Sequence, residues 1–422
     1  MPPLLGCIAD DVTGASDLAS ALTIGGMRTQ LWFGGNHKFD QEYAVDAVVI
    51  ALKTRSIPKV EAIAQSLEAL RSLQTVGVQR VLFKYCSTFD STEEGNIGPV
   101  AEALMQALST SYTLFCPATP ENGRTVYCGH LFVHGVPLNR SGMQDHPLNP
   151  MKESDLALVL QHQSKHGVGL IPHEAVARGP EAIAAAVERN LIQHKPLMVV
   201  DAIDDADLQG IAQAVVDLPL VTSGSGLGSK LPVAYLTAGK LAALQSEAAS
   251  PSATGNALIL AGSCSEATRK QVKAWPREWP SLRLDIGALV RGDLALSNIL
   301  DWARTGLKTS HVLIVSSSTP EEVASIQSQV GAQKTSAAIE ETFGCIARVL
   351  IAEGIQKLIV AGGETAGAVV RAIGRTRFRI GPAIAPGVPW METLDESKLA
   401  IALKSGNFGD NHFFRAALEM LP

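Results

Sequence analysis

Short, wholly apolar runs separated by longer stretches of helical period make up most of this 422-residue chain. Residues 4–9 form the first run. A turn containing Gly14 follows, then an amphipathic segment carrying Leu18, Ala19 and Leu22, which Gly25 and Gly26 bring to a stop. Residues 47–52 predict a buried strand, and 60–73 a helix with Val60, Ile63, Leu67 and Leu70 on one face. Runs at 81–85, 112–116, 168–171 and 197–200 continue the series. Strands of unbroken apolar character, each followed by a helix, predict an α/β fold with a mainly parallel sheet covered on both faces.

The pattern lapses at 241–255, where small, polar, Pro- and Gly-punctuated residues have the composition of a linker. A fresh series then begins. Strands are predicted at 257–261, 282–286, 311–315, 357–360 and 399–403. A helix is predicted from about Ser265, and a long one carries Ile339, Phe343, Ile346 and Leu350. We therefore expect two domains, 1–245 and 257–422, joined by a linker or hinge at 246–256. Each is a mainly parallel sheet flanked by helices, and the length agrees, since 422 residues exceed one ordinary core.

Composition narrows the classes of function. A net charge of −6, with no long basic run, argues against a nucleic-acid backbone or an anionic membrane as partner. No basic segment followed by an apolar stretch opens the chain, and no apolar run approaches the roughly 18 residues that span a bilayer. Six scattered cysteines without a CxxC pair read as small core residues in a reducing compartment, so a cytoplasmic location is expected. A homodimer is left open.

Candidate chemistry collects where predicted strands end, the ligand-binding edge of open α/β sheets. Asp10 and Asp11, followed by Thr13 and Gly14, place two carboxylates and a hydroxyl just after the first strand. One acidic residue would suffice to cap a helix; two crowd charge at a buried turn and favour a site. Lys84, Ser87, Thr88, Asp90 and Ser91 follow another strand, a cation and hydroxyls suited to a polyhydroxy acid. Arg124, past a third strand, could grip a carboxylate or be a surface ion pair. Cys128, His130 and His134 would share a strand face, but at no standard zinc spacing.

In the second half three turns offer backbone N–H groups to phosphate: Gly262–Glu266, Gly362–Gly367 and Lys404–Gly409. None is a Walker A loop or a GxGxxG fingerprint. The glycine- and serine-rich segment 223–230 reads as a plain flexible loop.

Taken together, IADDVTGASD, KYCSTFDST with GNIGPV, PATPENGRTVYCGHLFV, GVPLNRSGMQDHPLNPM, GSCSEATR, AGGETAGAV, PGVPW and ALKSGNFG resemble the four-carbon acid sugar kinase family along the full chain, most closely its 3-oxo-tetronate kinase branch. Arg140 replaces a Glu of the family pattern. The resemblance implies a sugar-acid-binding N-terminal domain, an ATP-binding C-terminal domain and an active site in the cleft between them. It implies transfer of the ATP γ-phosphoryl group, with Mg²⁺, to the O4 hydroxyl of a four-carbon 3-oxo acid. Asp10 or Asp11 would orient or deprotonate that hydroxyl. The expected substrate contacts are Thr13, Gly14, Arg55, Lys84, Ser87, Thr88, Asp90, Ser91 and Arg124. The expected nucleotide contacts are Ser263, Ser265, Gly362, Gly363, Glu364, Thr365, Lys404, Ser405 and Gly406; metal ligands are unassigned. D-threonate or D-erythronate are the alternative substrates, and a non-catalytic sugar-acid-binding protein is the alternative class.

Overall fold

The computed structural model describes residues 2–35, 45–144, 149–245, 248–316, 331–395 and 397–421. The chain divides into two compact units, Met1–Glu247 and Ala248–Pro422.

In the first unit the strands are β1 (Leu5–Ala9), β2 (Thr29–Phe33), β3 (Ala47–Ala51), β4 (Val81–Lys84), β5 (Thr113–Cys116), β6 (Arg124–Tyr127), β7 (His130–Val133), β8 (Val136–Pro137), β9 (Val168–Ile171), β10 (Leu197–Val200) and β11 (Leu220–Ser223). Eight of them pair in the order β2-β3-β1-β4-β11-β5-β10-β9, and every pairing is parallel. The apolar runs are strands because they are covered on both faces: every residue of β1, β3, β4 and β5 is buried. The helices Val12–Ile24, Pro180–Ile192, Asp205–Ala214 and Ser225–Thr237 pack side by side, and Lys59–Thr75, Ile97–Ala107 and Leu156–Gln163 form a second row.

The chain passes from β1 out to β2, returns to β3 between them, then crosses to β4 on the other flank of β1. That reversal is the switch point at which open parallel sheets open a crevice beyond their strand ends. Register brings the ends level, since Ala9 pairs with both Ala51 and Lys84, and Lys84 pairs with Ser223. Residues 10–11, 52–55, 85–90 and 224–225 therefore leave the sheet along one edge.

β6, β7 and β8 form a separate antiparallel sheet. Cys128 lies in the turn between β6 and β7 and His134 in the next, both with left-handed backbones, so the shared strand face expected for Cys128, His130 and His134 does not exist. Asp201, fully buried, anchors that first turn by accepting the N–H groups of Cys128 (2.8 Å) and Gly129 (2.9 Å).

The second unit contains β12 (Ala257–Ala261), β13 (Ser281–Arg283), β14 (Val312–Val315), β15 (Lys357–Ala361), β16 (Arg377–Ala385), β17 (Val388–Thr393) and β18 (Ala400–Lys404). β13-β14-β12-β15-β18 are parallel; β17 and β16 continue the order antiparallel. Ala261 pairs with Ala361 and Ala361 with Lys404, which sets the three expected phosphate turns at one level. Trp390, Trp275, Phe413 and Phe414 close the core beneath them.

Two expectations are corrected. The strand predicted at 282–286 ends at Arg283, and Asp285 caps a helix beginning at Ile286. The segment 223–230 is no flexible loop: Ser223 ends β11, and Ser225 begins a helix that buries Gly226, Leu227 and Gly228. The polar stretch expected as a linker or hinge contains the boundary between the two units, and each flank bonds within its own unit. The Gln245 N–H bonds to the Gly26 carbonyl, the Ser252 N–H and hydroxyl to Glu392, and the Arg379 guanidinium to the Ala249 carbonyl. Residues 246–247 of that stretch, and 145–148 of the GVPLNRSGMQDHPLNPM motif, lie outside the described residues.

Candidate active site

At the switch point of the first unit, Asp11 caps the helix Val12–Ile24 by accepting the Gly14 N–H (3.1 Å), and Thr13 donates its hydroxyl to the other Asp11 oxygen (2.8 Å). The capping role and the charge crowding foreseen for this loop therefore coexist. Arg55 relieves the crowding. Its Nε and one terminal nitrogen form a fork on Asp10 (2.9 and 2.7 Å), and that same nitrogen reaches Asp11 at 2.6 Å. Its other terminal nitrogen lies 3.7 Å from Asp90. One guanidinium thus gathers three carboxylates from two strand-end loops, the planar geometry at which Arg surpasses Lys.

Burial pushes the Asp10 carboxyl above its ordinary value, against the pull of Arg55. Burial acts on Asp11 in the same sense, but Arg55, Lys84, Thr13 and the Gly14 N–H outweigh it and hold that carboxyl at about 2. Asp10 is nearly sealed, whereas the Asp11 side chain is 25% exposed.

Lys84 ends β4 and is 96% buried, being only 4% exposed. Its ammonium donates to the Tyr85 carbonyl (3.1 Å) and has no carboxylate within 4 Å among the described residues. A Cβ on residue 14 would lie 2.5 Å from Lys84 Nζ and 2.2 Å from Asp11 Oδ1, so glycine is required there for the cation and carboxylate to pass. Beyond Lys84 the chain turns sharply at Phe89, whose left-handed backbone (φ 49°) is offset by a fully buried ring set edge-on to Tyr85. Thr88 contacts the Cys86 sulfur (3.0 Å), and Ser91 accepts from Gln163 (2.9 Å).

Arg124 shares no hydrogen bond or ion pair with this group among the described residues. It begins β6, and its guanidinium donates to the Asn122 carbonyl. Two other residues belong to the site but were not foreseen. Asn96 fixes the Arg55 loop, its carboxamide donating to the Thr54 and Ile57 carbonyls (both 2.8 Å). Asp17, one turn past Gly14, accepts from the Ser225 hydroxyl and feels the Lys84 charge. The spacing of Asp17 from Gly14 on one helix face was the available signal for it; Asn96 gave none.

In the second unit the three turns converge. A Cβ at Gly406 would lie 2.4 Å from Ser263 Oγ, and one at Gly262 would lie 2.1 Å from Thr365 Oγ1. Gly362 adopts φ 131°, open only to glycine, and caps the helix Gly363–Ile373 without a side-chain bond. Ser265 caps the helix Glu266–Lys273 and donates to the Gly406 carbonyl (2.5 Å).

Lys404, expected to reach nucleotide, is instead fully buried. Its ammonium donates to the Ser405 and Gly406 carbonyls (3.0 and 2.9 Å) and to Thr268 (3.1 Å), and burial lowers its pKa to about 8. No group of three His, Cys, Asp or Glu side chains forms a dedicated metal site among the described residues.

Comparison with known proteins agrees with this division of chemistry. Residues 5–231 match a family described as a sugar-binding N-terminal domain, and 258–414 one described as a nucleotide-binding C-terminal domain. A 3-oxo-tetronate kinase of Burkholderia multivorans is 47% identical over 419 residues, 99% of this chain and 97% of that protein. One of Pseudomonas fluorescens is 48% identical over 421 residues, with the same shares. Among solved structures, a Haemophilus influenzae protein (40% identical, TM-score 0.83) covers 99% of this chain and 100% of its own. A Salmonella typhimurium protein solved under the description of a tRNA synthase (42% identical, TM-score 0.87) covers 98% of both.

Proposed function

We propose that this chain, which belongs to the four-carbon acid sugar kinase family, transfers the γ-phosphoryl group of ATP to the O4 hydroxyl of 3-oxo-tetronate, giving 3-oxo-tetronate 4-phosphate. The observation that carries the reading is whole-length likeness to 3-oxo-tetronate kinases, joined to a buried cation beside paired carboxylates in one unit and a three-turn phosphate cradle in the other.

The first unit supplies the acceptor. Lys84 offers its unused N–H bonds to the substrate carboxylate, and Arg124 is a second cation for it. Ser87, Thr88, Asp90 and Ser91 meet hydroxyl and carbonyl oxygens. Phosphoryl transfer through a loose transition state asks for alignment and charge neutralisation more than for a strong base. Asp11, a carboxylate held ionised and partly exposed, accepts the O4 hydrogen bond and aims the oxygen at phosphorus. Asp10, sealed behind Arg55, fixes that guanidinium, and Asp11, which already holds the O4 hydrogen, takes up that proton as the O–P bond forms.

The second unit supplies the donor. Ser263, the 362–365 turn and Gly406 hold the ATP phosphates through hydroxyl and backbone N–H groups. Mg²⁺, when bound with the nucleotide, would supply charge neutralisation at these phosphates. The protein works in the cytoplasm, where ATP is available.

The test is ADP release by the purified protein with 3-oxo-tetronate, D-threonate and D-erythronate, and identification of the product phosphate by phosphorus NMR. A marked preference for the oxo acid is expected. Equal or better turnover of threonate overturns the substrate, and failure to bind ATP or ADP overturns the kinase.

A further inference from the structure

We infer that Gln271 and Thr268, neither of which contacts the cradle surface, are positioning residues that fix the backbone of the 405–410 turn for the nucleotide; the inference rests on the kinase reading above. Both project from the helix Glu266–Lys273 and are buried, Thr268 at 0% and Gln271 at 1% exposure. With Ser265 they are spaced three apart and form one polar row on that helix.

The row binds carbonyls. Gln271 Nε2 donates to three in succession, Phe408 (3.0 Å), Gly409 (3.1 Å) and Asp410 (2.9 Å). A carboxamide has two N–H bonds, so the three oxygens share them. The Gly406 carbonyl collects Thr268 Oγ1 (3.0 Å), Ser265 Oγ (2.5 Å) and Lys404 Nζ (2.9 Å). In a planar trans peptide the N–H points opposite to its carbonyl, and no cis bond occurs among the described residues. Turning these carbonyls toward the helix therefore turns the N–H groups of Asn407, Gly409 and Asp410 away from it. The turn is held so closely that residue 406 has no room for a side chain against Ser263. A turn with the Gly406, Phe408, Gly409 and Asp410 carbonyls drawn to one side is pre-organised for an anion on the other.

The groups that impose this order are neutral or, for Lys404, a buried ammonium bonded to carbonyl and hydroxyl oxygens. An apolar core would accomplish simple anchoring at lower desolvation cost, which separates an orienting role from a packing one.

The experiment uses the whole chain and follows the KM for ATP, the KM for the sugar acid, the Kd for ADP by calorimetry and the melting temperature. Gln271→Met should raise the ATP KM and ADP Kd by about tenfold or more, the value of one to two buried hydrogen bonds, with the sugar-acid KM within about twofold. Thr268→Val should act in the same direction, about fivefold, and Thr268→Ser should restore wild-type values because the hydroxyl returns. ATP and ADP constants within twofold of wild type in both Gln271→Met and Thr268→Val overturn the inference. So does a parallel rise in both KM values with a fallen melting temperature, the mark of a packing defect. If Gln271→Met does not fold, the Thr268 pair decides. A wild-type protein that binds no ADP overturns the kinase reading itself, and the inference with it.

Discussion

Arg55 reaches 45 residues back along the chain to grip Asp10, and the fate of each carboxylate follows from how it shares that guanidinium. Asp11 is held at about 2 in the folded protein, below its ordinary 3.8. A carboxylate depressed in this way contributes stability that is present above the unfolded value and lost as pH falls through the folded one. The difference is about 2 kcal/mol at neutral pH. Asp11→Asn, which keeps a capping side chain, should therefore lower the unfolding free energy from urea titration at pH 7 by about that amount. The deficit should shrink steadily as pH falls from about 4 toward 2. Asp10 and Asp17 are raised, so their burial favours the folded state more at mildly acid pH than at neutral pH. In steady-state assays Asp11→Asn should lower kcat at least about a hundredfold. Near-wild-type turnover would remove Asp11 from the reaction.

Glycines decide how the elements meet. At Gly228 a Cβ would lie 2.3 Å from Leu18 Cδ1, where the helices Val12–Ile24 and Ser225–Thr237 pack. Gly228→Ala should cost about 1–3 kcal/mol by overpacking, with both KM values near wild type. Gly14→Ala, on the first of those helices, should show the reverse. Alanine's better helix propensity, worth up to about 1 kcal/mol, limits the loss of stability. The clash with Lys84 and Asp11 should raise the sugar-acid KM at least about tenfold.

The same glycines explain what the sequence concealed. The helix start at 223–230 reads as a loop because Gly224, Gly226 and Gly228 look like flexibility, whereas they permit backbone contact with Pro117, Ala118 and Leu18. β11 escapes an apolar search because half of it is Thr222 and Ser223, buried with their hydroxyls satisfied by the Leu114 and Gly224 carbonyls. β2 begins with Thr29 and Gln30, and Gln30 is buried against the Trp32 ring nitrogen (2.9 Å). By contrast β1, β3, β4, β12 and β15 are apolar throughout or nearly so, and were legible at once. The strand-end loops were legible as sites for the same reason. The bonds that organise them, from Arg55, Asn96 and Gln271, run between residues far apart in sequence, and no local pattern announces them.

At the scale of the whole molecule, the two units carry separable chemistry, and each ligand should leave its own footprint. In hydrogen exchange on the full chain, ADP alone should slow exchange at 262–268, 362–368 and 404–410. The sugar acid alone should slow it at 10–17, 54–57 and 84–91. Protection of both sets by either ligand alone would contradict this division.

The placement of β11 also bears on how the protein is made. It lies between β4 and β5 and pairs with both, yet it is synthesised after either of them. The nascent chain must carry the unfinished edge of β4 through about 140 further residues, roughly 7–28 s at 5–20 residues per second, and that of β5 through about 107. Until Leu220–Ser223 emerges, the edge of β4 that ends in Lys84 is open to any strand in the cell. The ligand-binding edge of the first unit is thus completed last on the ribosome, and any pause before residue 223 lengthens the interval in which misassembly competes with folding.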